Sequence, residues 1–283
     1  MSIEDIILSH DRRGISELRG RLPADFCHDA AALILRAVRQ SRRAAIITTG
    51  FYVASARAPE TDGPPGALAL GECLDRLGFD VTYVTDEHTV PLLSCAALKK
   101  NEVIAFPIAD RDSSERFASH ILTDIQPSLI ISVERCGPNS SGQYLNMAGE
   151  DITPYTARID CLFIGQRNTI GIGDGGNEIG MGNLARHIPS IRNLPQDPAL
   201  TPVDKLVIAS VSNWGGYGLV AALSKLVKHN LLPSVEWEKE IIIEMVRKGA
   251  VDGMSGQREL AVDGFDMKQN SRALEQLHRA LAR

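Results

Sequence analysis

The feature that most constrains the fold is an alternation of short apolar runs with amphipathic stretches. Ala44-Ala-Ile-Ile-Thr48, Phe79-Asp-Val-Thr-Tyr-Val84, Glu102–Phe106 and Ser128-Leu-Ile-Ile-Ser-Val133 read as buried strands. Between them Gly66–Leu77, a stretch near 89–99 and another over roughly 113–124 read as helices. Strand-then-helix units at this spacing imply right-handed crossovers and a parallel sheet. Thr169-Ile-Gly-Ile172 and Leu206-Val-Ile-Ala-Ser-Val211 add two later strands. The fold class is therefore α/β, a mainly parallel sheet flanked by helices.

The rest of the chain fills in around that sheet. Residues 3–20 read as a surface helix, and Leu33, Leu35 and Val38 give the stretch 29–39 an amphipathic helical face. Further helices are expected at 154–166, 218–229, 235–248 and 268–282. Pro64 and Pro65 suit the first turn of the helix they open, and Gly78 suits its C-terminal cap. No repeat, low-complexity tract or linker breaks residues 1–283, which read as one Rossmann-like three-layer domain.

A parallel sheet gathers the loops after its strands at one edge, where such folds bind ligands. Four polar loops qualify: 49–63, 134–143, 173–183 and 212–217. The most unusual is Thr169-Ile-Gly-Ile-Gly-Asp-Gly-Gly-Asn-Glu-Ile-Gly-Met-Gly-Asn183, with six glycines in fifteen residues. Its glycines permit a sharp turn and close approach of a ligand to bare backbone. Asn177 or Asp174 is placed to cap a following helix through Leu184-Ala-Arg-His187. Gly171–Gly176 also matches the dinucleotide pattern G-x-G-x-x-G, but Asp174 and Glu178 would repel a pyrophosphate. An acidic glycine turn better suits a cation, an ammonium group, or a substrate with amine and carboxyl ends.

None of the four loops carries a Ser/His/Asp arrangement, a Walker lysine or metal-type histidine spacing. His88 and His187 are the two histidines near them, and surface or capping roles explain both. What the loops offer is Glu60, Asp62, Glu134, Arg135, Asn139, Asp174, Asn177, Glu178 and Asn213. Blander roles exist: helix capping for Glu60 and Asp62, and a structural ion pair for Glu134-Arg135. The same oxygen-bearing loops could hold a hard cation, Mg²⁺ or Mn²⁺, with Asp174 the first ligand candidate. Arg192–Pro202 is a polar, proline-rich loop able to lie over the site. Gly253-Met-Ser-Gly256 and Asp263-Gly-Phe265 either line the site or turn the chain, and the first of them is the better lining candidate.

Composition excludes other partners. A net charge of −5 with no basic block argues against nucleic acid or an anionic membrane surface. The longest apolar runs are too short to cross a bilayer, and no signal peptide is visible. Five scattered cysteines without C-x-x-C spacing fit reduced thiols in a cytoplasmic protein. A homo-oligomer is compatible with this sequence.

Three of these stretches carry a family resemblance: Glu60-Thr-Asp-Gly-Pro-Pro-Gly66, Glu134-Arg-Cys-Gly-Pro-Asn139 with Gly-Gln-Tyr-Leu-Asn146, and Gly171–Asn183. Together they resemble D-glutamate cyclase, in the domain that forms the C-terminal half of the longer animal enzymes and stands alone in bacteria. The likeness runs from about Gly50 to about Gly256, most of the chain. It implies a hydro-lyase that converts the small-molecule substrate D-glutamate to 5-oxo-D-proline with loss of water. In that reaction Glu134, or else Asp62, would take the proton of the attacking amine. Arg135, the N–H groups of Gly173–Gly176, or a metal on Asp174 would stabilise the oxyanion. Glu178, or the re-protonated base, would serve as acid to the leaving water. Thr61, Gly63, Gly66, Asn139, Gly175, Gly176, Asn177 and Asn213 would hold the substrate. The alternatives from other classes are a non-catalytic acidic amino-acid-binding protein, a related metal-dependent enzyme on another small acid, and a nucleotide-dependent enzyme.

Overall fold

The computed structural model describes residues 1–94 and 101–282. Its centre is a six-stranded, wholly parallel sheet of β1 (Ala44–Thr49), β4 (Asp80–Thr85), β5 (Glu102–Ala105), β6 (Leu129–Val133), β7 (Thr169–Gly173) and β8 (Lys205–Ile208). Two small hairpins complete the strands: β2 (Tyr52–Val53) with β3 (Ala58–Pro59), and β9 (Ala261–Val262) with β10 (Phe265–Asp266). The helices are α1 (Ile3–Ile7), α2 (Phe26–Val38), α3 (Pro64–Arg76), α4 (Val90–Leu93), α5 (Arg111–Ile125), α6 (Ser212–Val227), α7 (Val235–Arg247) and α8 (Met267–Leu281). Helices flank the sheet, as the alternating pattern requires.

Strand order is what places the site. The sheet runs β5-β4-β1-β6-β7-β8, so the chain starts at β1, winds outward one way, and returns to wind the other way from β6. Loops leaving β1 and β6 therefore diverge and open a crevice at the carboxyl edge. The register sets the levels: Thr49 lies opposite Val133, and Val133 opposite Ile172. Residues just beyond these three strand ends consequently emerge side by side.

Two helices roof this point. α3 packs on β1, β4 and β6, while α6 packs on β6, β7 and β8, and the two cross each other. They meet at Gly66 and Gly216. A Cβ on Gly216 would lie 2.9 Å from the Gly66 Cα, so the crossing is backbone against backbone. That closeness brings both helix N-termini to the crevice.

Four expected elements differ. Residues 3–20 form no single surface helix. α1 is followed by a turn and a 3₁₀ helix over Ile15–Arg21, with Ile3, Ile6, Ile7, Ile15 and Leu18 buried. The Asp11 carboxylate accepts the N–H groups of Arg13, Gly14 and Ser16, which ends helical bonding there. The expected 154–166 helix is two 3₁₀ turns, Thr153–Tyr155 and Ile159–Leu162. Between them the Ala157 carbonyl accepts from Arg135 Nη2 at 2.9 Å and from Ile159 N, two residues on, at 2.8 Å, instead of from an N–H four residues on. No α-helix follows the glycine loop either. Gly180 and Gly182 donate to the Thr201 carbonyl, leaving 3₁₀ turns at Met181–Leu184 and Ile188–Ser190. Finally, α6 begins at Ser212, six residues before the expected 218. Its glycines are poor helix formers that serve close packing instead. Of the expected 89–99 helix, α4 is its first part, and residues 95–100, with Cys95, lie outside the described residues. Cys27, Cys73, Cys136 and Cys161 are buried free thiols.

Candidate active site

After β1 the chain makes the β2–β3 hairpin and enters α3 through Glu60-Thr61-Asp62-Gly63. Asp62 is fully buried. Its Oδ1 accepts from Gly63 N at 2.9 Å and Asn213 N at 2.8 Å, and its Oδ2 accepts from Ser212 N at 2.8 Å. Asp62 thus caps α6. Asn213 returns the favour, its Oδ1 accepting from Gly63 N at 3.0 Å and Gly66 N at 2.9 Å at the start of α3. Each helix begins on a side chain from the other's entry, which satisfies otherwise orphaned N–H groups.

Glu134 follows β6 in the left-handed region, with φ +46°. A non-glycine residue held there stores strain, a feature concentrated at functional sites. Ser212 Oγ donates to Glu134 Oε2 at 2.5 Å, so one serine binds Asp62 with its N–H and Glu134 with its hydroxyl. Gly63, at φ +95°, must lack a side chain because a Cβ there would sit 2.6 Å from the Glu134 Cβ. Asp174 leaves β7 next door. Carboxylate oxygens of Asp62, Glu134 and Asp174 all lie within 4.8 Å of one another.

Two further residues join them from the chain ends. Arg13 Nη1 lies 2.6 Å from Asp174 Oδ2 and 2.7 Å from Asp263 Oδ2. Only the Asp263 contact is aligned as a hydrogen bond; the Asp174 contact is an ion pair. Nothing local in the sequence marks Arg13 as a site residue, whereas Ser212 opens the polar loop 212–217 and Asp263 the turn 263–265 that the sequence already set apart.

Crowding of buried acids dominates the electrostatics. Burial pushes Glu134 well above the usual carboxylate range, and the neighbouring Glu178, Asp62 and Glu60 add to it. Burial, with Asp263 alongside, lifts Asp62 to about 7. Glu60 and Asp174 are raised for the same reasons, with Arg13 opposing. Asp263 is buried too, yet Arg13 holds it below its ordinary value. Burial and mutual repulsion thus raise the proton affinity of all three carboxylates of the trio Asp62, Glu134 and Asp174, and Asp62, at about 7, is poised for general acid–base work.

Glu60, Glu134, Asp174 and Arg13 face a cavity of about 380 Å³, within the range of small-ligand sites of roughly 300–1,000 Å³, whereas Asp62 and Asp263 are not part of its wall. Its wall includes Glu60, Glu134, Asp174, Arg13, Asn146 and Asn177, with Phe51 to Ser55 of the hairpin region on one side. Gly253 and Met254 line it as well, so the 253–256 turn reaches the site. The 192–202 loop does not. It packs on the glycine loop through Pro195 and the Ala199 N–H to the Gly176 carbonyl, and adds no residue to the wall.

Several expected site residues are placed differently. Arg135, 1% exposed, donates to Asp86 at 2.5 Å and to the carbonyls of Gly50 and Ala157. It forms neither an ion pair with Glu134 nor part of the cavity wall, since the left-handed turn at Glu134 separates the two side chains. Glu178 accepts the N–H groups of Asp174, Gly175 and Gly176 at 2.5–2.9 Å. It closes the glycine loop on itself, so the amides of Gly175 and Gly176 are committed internally rather than offered to an oxyanion or phosphate. Likewise the amides of Gly63 and Gly66 go to Asn213 instead of a substrate carboxylate. Asn139 lies outside the cavity wall and caps its own turn by accepting from Ser141 and Gln143. Thr61 is fully buried and bonded to the Ala261 carbonyl. Asn177 does line the cavity, anchored on the Leu145 carbonyl. His88 packs tilted against Tyr52 with ring centroids 4.5 Å apart, a packing role.

Three carboxylates from three loops form a donor set suited to a hard divalent cation such as Mg²⁺ or Mn²⁺. Asp174, Glu134 and the remaining lone pair of Asp62 would hold it. The same oxygens suit an ammonium group equally well. Among the described residues no helix is long and apolar enough to cross a membrane.

Comparison with known proteins places the chain in a family. The human protein named D-glutamate cyclase, mitochondrial, is 29% identical over 274 aligned residues, covering 79% of this chain. The chain spans 43% of that relative's length. A family model described as D-glutamate cyclase-like, C-terminal, matches residues 3–278. With nearly its whole length matched, the chain belongs to the D-glutamate cyclase-like C-terminal family.

Proposed function

We propose that the chain is a hydro-lyase that cyclises D-glutamate to 5-oxo-D-proline with release of water. The observation that carries this reading is the meeting of carboxylate oxygens of Asp62, Glu134 and Asp174 within 4.8 Å of one another at the sheet's switch point, Glu134 and Asp174 on the cavity wall, in a chain of this family. Ring closure makes a bond from the α-nitrogen to the carbon of the γ-carboxyl group and breaks one carbon–oxygen bond of that carboxyl. Two protons leave the ammonium nitrogen, and two end on the departing oxygen. A reaction that moves protons from one end of a short substrate to the other needs acids and bases side by side.

Glu134 is the first choice to receive protons from the nitrogen. It is buried, oriented by Ser212 Oγ, and has a raised proton affinity. Asp62 stands beside it, and its affinity near 7 suits a proton returned to oxygen. Curling the substrate so that amine meets γ-carboxyl contributes on its own, through proximity. A divalent cation on the trio, when bound, would supply Lewis-acid polarisation of the γ-carboxyl. Commitment of the glycine-loop amides to Glu178 weighs against a nucleotide as substrate.

The test is product analysis of purified protein with D-glutamate and L-glutamate, each with and without Mn²⁺ or Mg²⁺. Formation of 5-oxoproline from the D-isomer is the expected result, and a metal requirement would assign the trio as ligands. Absence of product from folded protein under every condition would replace this reading with an amino-acid-binding role or another substrate.

A further inference from the structure

The amides of Gly63 and Gly66 are already committed to Asn213 and Asn139 lies off the cavity wall, so of the carboxylate partners that the sequence suggests only the neutral Asn177 remains on it. We propose that Arg13 is the carboxylate anchor of the cavity, the residue that restricts it to amino acids with a free carboxylate beside the amine. The choice of D-glutamate as ligand rests on the cyclase reading above.

Charge decides the location. Glu60, Glu134, Glu150 and Asp174 line the cavity, and Arg13 is the one lysine or arginine among its described lining residues. Elsewhere the wall offers a carboxylate only acids and neutral groups. The donors of Arg13 are also unevenly used. Both carboxylate contacts fall on Nη1, while Nη2 has only a 3.9 Å contact with Met254 Sδ. Nε carries no hydrogen bond among the described residues. A planar guanidinium with one edge unused matches a carboxylate's two oxygens.

The chain around Arg13 is built to hold it there. Asp11 binds the N–H of Arg13, of Gly14 and of Ser16, folding 11–16 into a tight turn. Gly14 is at φ +94°, and a Cβ on it would meet Ile191 at 2.8 Å. Arg12 stacks its guanidinium 3.8 Å from the Phe265 ring centre and donates to the Asp263 carbonyl, locking the turn that carries Asp263. Asp174 then links anchor to chemistry. Its carboxylate touches Arg13 and belongs to the trio. In an α-amino acid the nitrogen is two bonds from the carboxylate carbon. A carboxylate on Arg13 therefore puts the amine within reach of Glu134 and Asp62, and the ammonium charge offsets the acids it meets.

The experiment compares D-glutamate with its α-amide, which keeps the amine and γ-carboxyl but lacks the anchored charge. Binding is read by calorimetry and turnover by product analysis, for wild type and for Arg13→Lys. Lysine keeps a positive charge for Asp174 and Asp263 but lacks the fork. The expected result is wild-type affinity for D-glutamate on the order of 10- to 100-fold above that for the amide, the scale of a charge-assisted contact. In Arg13→Lys of unchanged melting temperature the two ligands come level. Equal wild-type affinity for both, binding of neither, or a folded Arg13→Lys that keeps the preference overturns the anchor. The two readings fail separately: preference without 5-oxoproline removes the cyclase and leaves the anchor, and product without preference does the reverse.

Discussion

Replacing Asn213 with alanine strikes the joint that holds the site together. The side chain is fully buried and makes three hydrogen bonds: Gly63 N at 3.0 Å, Gly66 N at 2.9 Å, and Nδ2 to the Thr61 carbonyl at 3.1 Å. Gly63 N keeps a second acceptor, Asp62 Oδ1 at 2.9 Å, so its loss is partial. Gly66 N and the Thr61 carbonyl lose their side-chain partner outright. A buried polar group left unsatisfied costs about 1–3 kcal/mol, so the substitution costs about 3 kcal/mol in all. Against a total stability of about 5–15 kcal/mol that is a large fraction. In urea, at a slope of about 3 kcal/mol/M, the midpoint falls by about 1 M. Turnover falls too, because residues 61–66 carry Asp62 and lose their tie to α6. A midpoint shift corresponding to less than about 1 kcal/mol, at unchanged slope, would show that the paired caps do not bear this load.

Two other perturbations test the packing behind the site. Glu238, on α7, is buried against α8, and burial lifts it to about 7, opposed by the nearby Ser271 and Tyr217 hydroxyls and by Asn270 Nδ2, which donates to it at 3.0 Å. The folded state then keeps a proton that the unfolded chain loses near 4.5. Wild-type stability from this group accordingly drops by about 3 kcal/mol as pH rises from about 4.5 to 7, and Glu238→Gln removes that slope in a urea titration across pH. Gly216→Ala sets two effects against each other: a helix gain of about 1 kcal/mol from replacing glycine, and overpacking of about 1–3 kcal/mol. The clash is with the Gly66 backbone at 2.9–3.1 Å, which cannot rotate away, so a lower melting temperature is expected.

The sheet was legible because its central strands β1, β6 and β7 are fully buried and bounded by turn residues, a pattern that survives without tertiary knowledge, while the edge strand β5 is only partly buried. The carboxylates were legible for a related reason: Glu134 and Asp174 directly follow strands, and in a parallel sheet that position alone puts a side chain at the ligand edge. Roles that depend on direction were not. Arg135 adjoins Glu134 in sequence, yet a positive φ at Glu134 sends the guanidinium to Asp86. Glu178 looked like a free acid because its engagement with three amides of its own loop needs the loop's shape. Arg13 and Asp263 are 250 residues apart and meet only because both chain ends fold back on the crevice. Ser212 was read as loop because the glycines of α6 mask a helix whose cap, Asp62, lies 150 residues away.

The most direct measurement of the central claim is the rate of 5-oxoproline formation from D-glutamate by wild type and by Glu134→Gln. Glutamine keeps the shape and can still accept from Ser212 Oγ, but it cannot take a proton. The account predicts a rate lower by on the order of 10²–10⁴, the usual contribution of a positioned acid–base group, with calorimetric binding retained. A Glu134→Gln rate within a few-fold of wild type would contradict it.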